Sequence, residues 1–230
     1  MSKPQESFAY NPQQVQQLRK LVSAGEGSTL EFKRKATYPE KIVREMIAFA
    51  NTKGGILLLG IGDDGTIPGL KYPEEEIFVM KEALKKVKPA LQYIETFIPI
   101  GNSRTVIQYE IAESQRKPHY FLNGEALKES FVRVEDKSIK ASREVREIIR
   151  REQQKKDIKF WYAEHEKLLM EYLDKNTSIT LAEFITLTGL KKFYASKKLI
   201  ILVLADVLRI TPNEKGDIFT LAFGRKGNKK

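Results

Sequence analysis

The 230-residue chain has no cysteine and only two histidines, His119 and His165. Disulfide and thiolate chemistry are therefore excluded, two imidazoles are too few for a histidine-built metal site, and a reducing cytoplasm suits the composition. No apolar run approaches the roughly 20 residues that a membrane-spanning helix needs. The N-terminal stretch MSKPQESFAYNPQQ lacks the apolar core of a signal peptide. Also missing is a Gly-Lys-Ser/Thr triplet. Gly54-Gly55 and Gly60-x-Gly62 border an apolar run, but a P-loop needs that triplet after a strand, and Gly60-Ile61-Gly62-Asp63-Asp64-Gly65 lacks the spacing of a dinucleotide fingerprint. P-loop nucleotide hydrolysis is excluded, and there is no internal repeat. Acids are the scarcer charge, 30 against 40 lysines and arginines, for a net charge of +10. The excess favours a polyanionic partner, nucleic acid above others. It is uneven: residues 1–150 carry 24 basic and 20 acidic residues, whereas 191–230 carry 10 and 3.

What is present reads as two domains. Asn11-Pro12 starts a helix that carries Val15, Leu18, Leu21 and Val22 on one face until Gly25. A short strand, Thr29 to Arg34, alternates Leu30 and Phe32 with Glu31 and Lys33. Pro39 opens an amphipathic helix to about Asn51, Gly54 stops it, and the continuous apolar run Ile56–Ile61 predicts a strand buried on both faces. A charged helix from Pro73 to about Val87 and strands at Tyr93–Ile98, Thr105–Ile111 and Phe131–Val134 follow, with a Pro99–Ser103 turn between the first two. Residues 143–159 are dense in charge and poor in apolar residues, which predicts an exposed connecting helix. Beyond it, helices at Glu164–Leu173, Thr180–Gly189 and Lys191–Val207 precede a hairpin, Leu208–Ile210 and Ile218–Leu221, in the order of a winged helix-turn-helix.

Three carboxylates are candidate catalytic and metal-binding groups. Glu26 and Glu31 straddle the start of a strand, and Asp63 (or Asp64) leaves what the pattern makes a neighbouring strand. Converging carboxylates suit a hard cation such as Mg²⁺ or Mn²⁺, which activates water in phosphodiester cleavage. The alternative is a loop acid, an acid paired with Lys33 or Arg34, and a turn chosen for backbone geometry. Around that edge Lys33, Arg34, Lys35, Lys117, His119, Tyr120, Arg133 and Lys140 form a candidate nucleic-acid surface. In the C-terminal domain Lys191, Lys192, Tyr194, Lys197 and Lys198, at the start of the third helix, are candidate phosphate contacts; that helix has few of the side chains that read bases sharply.

Gly25-Glu26-Gly27-Ser28-Thr29-Leu30-Glu31-Phe32-Lys33, Ala48-Phe49-Ala50-Asn51-Thr52-x-Gly54-Gly55, Gly60-Ile61-Gly62-Asp63-Asp64-Gly65, Lys117-Pro118-His119-Tyr120 and Phe131-Val132-Arg133 occur in that order. Together they resemble the Schlafen AlbA-2 family of DNA-binding domains, over about Gly25 to Ser142. The resemblance implies an α+β or α/β domain on a mixed sheet that handles nucleic acid. In the Schlafen branch it implies a three-carboxylate site that cleaves RNA, matched here by Glu26, Glu31 and, more loosely, Asp63. The divergent-ATPase label some members carry is not supported by the missing P-loop. The expected layout is a flexible arm (1–10), an AlbA-type domain (11–142), a helical linker (143–160), a winged helix-turn-helix (161–223) and a basic tail (224–230). The expected function is a cytoplasmic DNA-binding transcriptional regulator, with DNA or structured RNA as partner, no membrane and a homodimer suited to duplex recognition. The rivals are an Mg²⁺- or Mn²⁺-dependent endoribonuclease and a small-molecule sensor.

Overall fold

The computed structural model describes residues 9–124, 127–154, 158 and 160–222. Residues 1–8 of the expected arm and the whole expected basic tail, 224–230, lie outside the described residues. The chain divides into two compact units, Met1–Ser138 and Ile139–Lys230.

The first unit contains α1 (Pro12–Ala24), β1 (Leu30–Lys33), α2 (Pro39–Asn51), β2 (Gly55–Leu59), α3 (Pro73–Leu84), β3 (Val87–Lys88), β4 (Tyr93–Gly101), β5 (Arg104–Ile111), β6 (Tyr120–Asn123), β7 (Leu127–Glu129) and β8 (Phe131–Val134). The division between the units falls in β9 (Lys137–Lys140), which pairs with β8. The main sheet is mixed, in the order β1-β2-β5-β4, with β1 parallel to β2 and the other pairs antiparallel. Helix α2 makes the crossover between the parallel strands, the connection a parallel pair requires.

The continuous apolar run does form a strand covered on both faces. Leu57 and Leu59 join the core built on α2 and α3, and Leu58 joins Val15, Leu18 and Val22 of α1. All three leucines are fully buried, and each contributes about 1.5–3 kcal/mol. The glycines before this strand serve packing. Gly54 has φ +76°, and a Cβ there would lie 2.6 Å from the Ile111 carbonyl oxygen; at Gly55 a Cβ would strike the Phe49 ring. The expected Pro99–Ser103 turn is shorter than predicted. Strand pairing continues past Pro99 through a register shift, and the chain reverses at Asn102 and Ser103, whose φ values of 50° and 54° suit a two-residue hairpin.

The second unit contains α4 (Arg143–Glu152), α5 (Glu164–Lys175), β10 (Ile179–Thr180), α6 (Leu181–Thr188), α7 (Lys192–Leu204), β11 (Leu208–Thr211) and β12 (Ile218–Leu221), with sheet order β10-β12-β11. Thr180 and Glu183 form a reciprocal capping box at the start of α6, and Gly189, in the left-handed region, ends it. The exposed connecting helix expected at 143–159 is corrected over α4. Val145, Ile148 and Ile149 of α4 are buried, the helix packs on α7, and the buried Glu144 carboxylate accepts a hydrogen bond from Ser196. Three apolar residues on one face are enough to dock a ten-residue helix, however charged its other face. No helix among the described residues is long and apolar enough to cross a membrane.

Candidate functional site

The parallel register, Glu31 opposite Leu57 and Lys33 opposite Leu59, brings β1 and β2 to the same edge of the sheet. The Gly60 amide carries the pairing further by donating to the Lys33 carbonyl at 2.8 Å. Glu31 is buried there between two cations. Its Oε2 accepts from Arg133 Nη2 at 2.6 Å, and its Oε1 accepts from Lys33 Nζ. Lys33 Nζ also lies 3.5 Å from Glu45 Oε2. Arg133 donates to the Gly27 carbonyl at 2.8 and 3.2 Å and lies over the Phe49 ring at 5.0 Å. Its side chain is 2% exposed. The expectation that Arg133 meets nucleic acid is therefore corrected: its donors are spent on the fold.

Burial opposes the Lys33 charge, but Glu31, Glu45 and Glu26 hold its ammonium above the ordinary lysine value. Burial pushes the Glu45 carboxyl up to about 7, and nearby Glu31 adds to this against the attraction of Lys33 and Arg133. An acid raised in the folded state binds its proton more tightly there than in the unfolded chain, so stability falls as pH rises from about 4.5 through about 7. The loss is of order 2–3 kcal/mol. Urea unfolding is expected to show Glu45→Gln gaining stability over wild type at pH 8 and little or none at pH 4.5; equal gains at both would contradict this.

Glu26 and Asp63 are placed differently. Glu26 is an exposed residue whose Oε1 accepts the Phe32 amide at 2.7 Å. Since β1 is an edge strand, this carboxylate satisfies a backbone donor that would otherwise lack a ladder partner. Partial burial of its carboxyl, then the negative charges of Glu31 and Asp63, raise its proton affinity against the Phe32 hydrogen bond and Lys33. Asp63 is exposed, in the turn closed by the Gly65 amide on the Gly62 carbonyl. Asp64 accepts from the Thr66 hydroxyl and amide at 2.6 and 3.0 Å, which lowers its carboxyl. Glu26 feels the charges of Glu31 and Asp63, but the three carboxylates do not fit a divalent cation. Both Glu31 oxygens are taken by cations, and one Glu26 oxygen is taken by the backbone. Among the described residues no group of three or more His, Asp or Glu is arranged to hold a metal ion.

His119 is also corrected. It is 2% exposed. Its Nδ1 lies 2.8 Å from the Pro89 carbonyl, which only accepts, so Nδ1 carries the proton and Nε2 accepts from the Ser114 hydroxyl at 2.7 Å. Burial lowers its proton affinity against that carbonyl contact. Its backbone is held by Asn51 at the end of α2: Oδ1 accepts the His119 amide at 2.7 Å, while Nδ2 reaches the Ser130 hydroxyl at 3.0 Å and the Phe131 carbonyl at 2.9 Å. Lys117, 12% exposed, pairs with Glu113, and Tyr120 is half-buried.

Of the candidate cations, Arg34 and Lys35, just past β1, are exposed, as is Lys140 in β9. Beside Arg34 and Lys35 sit Thr37, Tyr38, Lys41 and Glu45, which the sequence reasoning did not single out. Their signal was present: an aromatic residue following the basic run Lys33-Arg34-Lys35, with Lys41 one helical turn beyond it. In the second unit Lys191, Lys192, Tyr194 and Lys197 are exposed at the start of α7, while Lys198 pairs with the buried Glu166.

The family described as Schlafen, AlbA_2 matches residues 26–142. Among solved structures, the N-terminal domain of a protein from Nitrosomonas europaea, named as ATP-dependent DNA helicase RecG-related, is 25% identical over 51% of this chain and 85% of its own, with a TM-score of 0.37. The DIP2311 protein from Corynebacterium diphtheriae is 16% identical over 91% of this chain and 38% of its own, with a TM-score of 0.42. No curated protein matches the chain.

Proposed function

The chain belongs to the Schlafen AlbA_2 family, and from that premise we propose that it is a nucleic-acid-binding protein, a DNA-binding transcriptional regulator whose second unit is a winged helix-turn-helix. The observation that carries this reading is the solvent-facing start of α7, where Lys191, Lys192, Tyr194 and Lys197 stand exposed just after the Gly189 turn from α6. The element order α5-β10-α6-α7-β11-β12 and the sheet β10-β12-β11 support it. In this arrangement α7 enters a major groove, its lysines neutralise phosphates, and the β11–β12 hairpin is the wing.

Binding to duplex DNA is expected to fall steeply with salt. Lys192→Ala with Lys197→Ala should flatten the log–log salt slope by about 2 and weaken binding uniformly across sequences. Fluorescence anisotropy between 50 and 200 mM salt reads both effects. Absence of any salt-sensitive duplex binding at low ionic strength would reject the regulator.

The rival, a divalent-metal-dependent endoribonuclease on Glu26, Glu31 and Asp63, ranks lower because Glu26 already serves an edge amide and Glu31 two cations. A role as a small-molecule sensor would show as a metabolite retained by the purified protein.

A further inference from the structure

At the mouth of the β1–α2 connection lies a concavity of about 340 Å³, lined by Lys33, Arg34, Lys35, Thr37, Tyr38, Lys41, Ile42 and Glu45. Its size falls within the range of small-ligand pockets, and its rim carries four cations against a single acid. Arg34, Lys35 and Lys41 are exposed and enter no ion pair among the described residues, so their charge is available to a ligand.

The aromatic group is positioned as well. Tyr38 is 65% exposed, and Lys41 Nζ lies 5.0 Å from its ring centroid, holding a cation beside the ring face. Tyr38 is the N-cap of the 13-residue α2 and makes no side-chain capping bond, and the acid of the first turn, Glu40, is paired with Lys86, so the helix N-terminus adds positive potential at the same mouth. Ile42 offers an apolar wall and Thr37 a hydroxyl. A planar group on Tyr38 would thus have an anion-attracting rim within reach. Neither part suits a base pair inside a duplex, because stacking on a side chain requires an exposed base face.

We propose that this concavity is a binding site for one unpaired nucleotide, with its base stacked on Tyr38 and its phosphate held by Arg34, Lys35 and Lys41. This rests on the nucleic-acid reading above and adds to it a single-strand subsite in the first unit, separate from the duplex contacts assigned to α7. The same chemistry is offered by a nucleotide within a single strand and by a free mononucleotide.

The test uses the full-length protein and a fluorescent ten-residue oligothymidylate, competed separately with unlabelled oligothymidylate, thymidine monophosphate and inorganic phosphate. A companion oligonucleotide carrying 5-iodouracil is photo-crosslinked and its attachment mapped by mass spectrometry. Expected results are a crosslink at Tyr38, about tenfold weaker single-strand binding in Tyr38→Ala, and near-normal binding in Tyr38→Phe, which keeps the ring. The exposed position of Tyr38 makes both variants compatible with folding. Competition by oligothymidylate alone assigns the site to a strand, and competition by thymidine monophosphate at similar concentration assigns it to free nucleotide; each supports the proposal. Inorganic phosphate competing as well as the monophosphate, Tyr38→Ala binding like wild type, or a crosslink confined to other residues would each overturn it. Duplex affinity, measured in parallel, should be unchanged in Tyr38→Ala and reduced in the Lys192/Lys197 variant, which separates failure of this subsite from failure of the regulator.

Discussion

Glu31→Ala is expected to destabilise the first unit by about 3–5 kcal/mol, because it leaves the Arg133 guanidinium buried without its counter-charge. Arg133 would keep the Gly27 carbonyl and the Ser138 hydroxyl, neither of which neutralises it. Lys33 would lose its closest acid and keep Glu45 at 3.5 Å and the Phe32 carbonyl at 3.0 Å. Urea denaturation at pH 7 reads the loss. Substituting both partners, Glu31→Ala with Arg133→Met, should recover much of it, since removing the pair costs less than orphaning one member. A double variant no more stable than the single one would show that the ion pair is not the source. The consequence for the ribonuclease reading is direct. Loss of RNA cleavage in Glu31→Ala would report unfolding as readily as chemistry, so the discriminating variant is Glu26→Gln, which retains an oxygen for the Phe32 amide. Cleavage of structured RNA in Mn²⁺ by wild type, abolished in Glu26→Gln, would place the enzyme above the regulator.

Asn51→Ala should cost a similar amount, about 3–5 kcal/mol, through several buried groups left unpaired at once. Asn51 is 2% exposed, and its amide ties the end of α2 to the His119 and Phe131 backbones and to Ser130. Alanine fills none of these roles and abandons the His119 amide and the Phe131 carbonyl in the core. Asn51→Asp provides a sharper check. It retains an acceptor for the His119 amide but replaces the amide donor with an anion facing the Phe131 carbonyl oxygen. It should be at least as damaging as alanine. If aspartate proved as stable as wild type, the donor half of this network would have no energetic weight.

Asn51, His119 and Arg133 show where reading along the chain stops. Asn51 reads as the end of a helix, and helix periodicity locates it correctly. Its role as a clamp on segments 68 to 80 residues away has no local signature. His119 and Arg133 look like surface groups because basic and aromatic residues surround them in sequence, yet burial turns both inward. For α4 the misreading has a different origin. Its charge density conceals Val145, Ile148 and Ile149, whose spacing marks a docking face.

Local physical chemistry, legible in the chain alone, determined the helix starts at Asn11-Pro12, Pro39 and Thr180, the helix stop at Gly54, the doubly buried β2 and the excess of positive charge toward the C-terminus. Each depends on nearest neighbours along the chain or on a residue's own backbone preference. The tertiary structure alone decided the fate of the charged side chains. It paired Glu31 with Arg133, turned Glu26 to an edge amide, buried His119, and left Arg34, Lys35, Tyr38 and Lys41 around one opening. Whether an ionisable group acts on a ligand or on its own fold depends on which partners and how much water surround it, and those are set by residues distant in sequence.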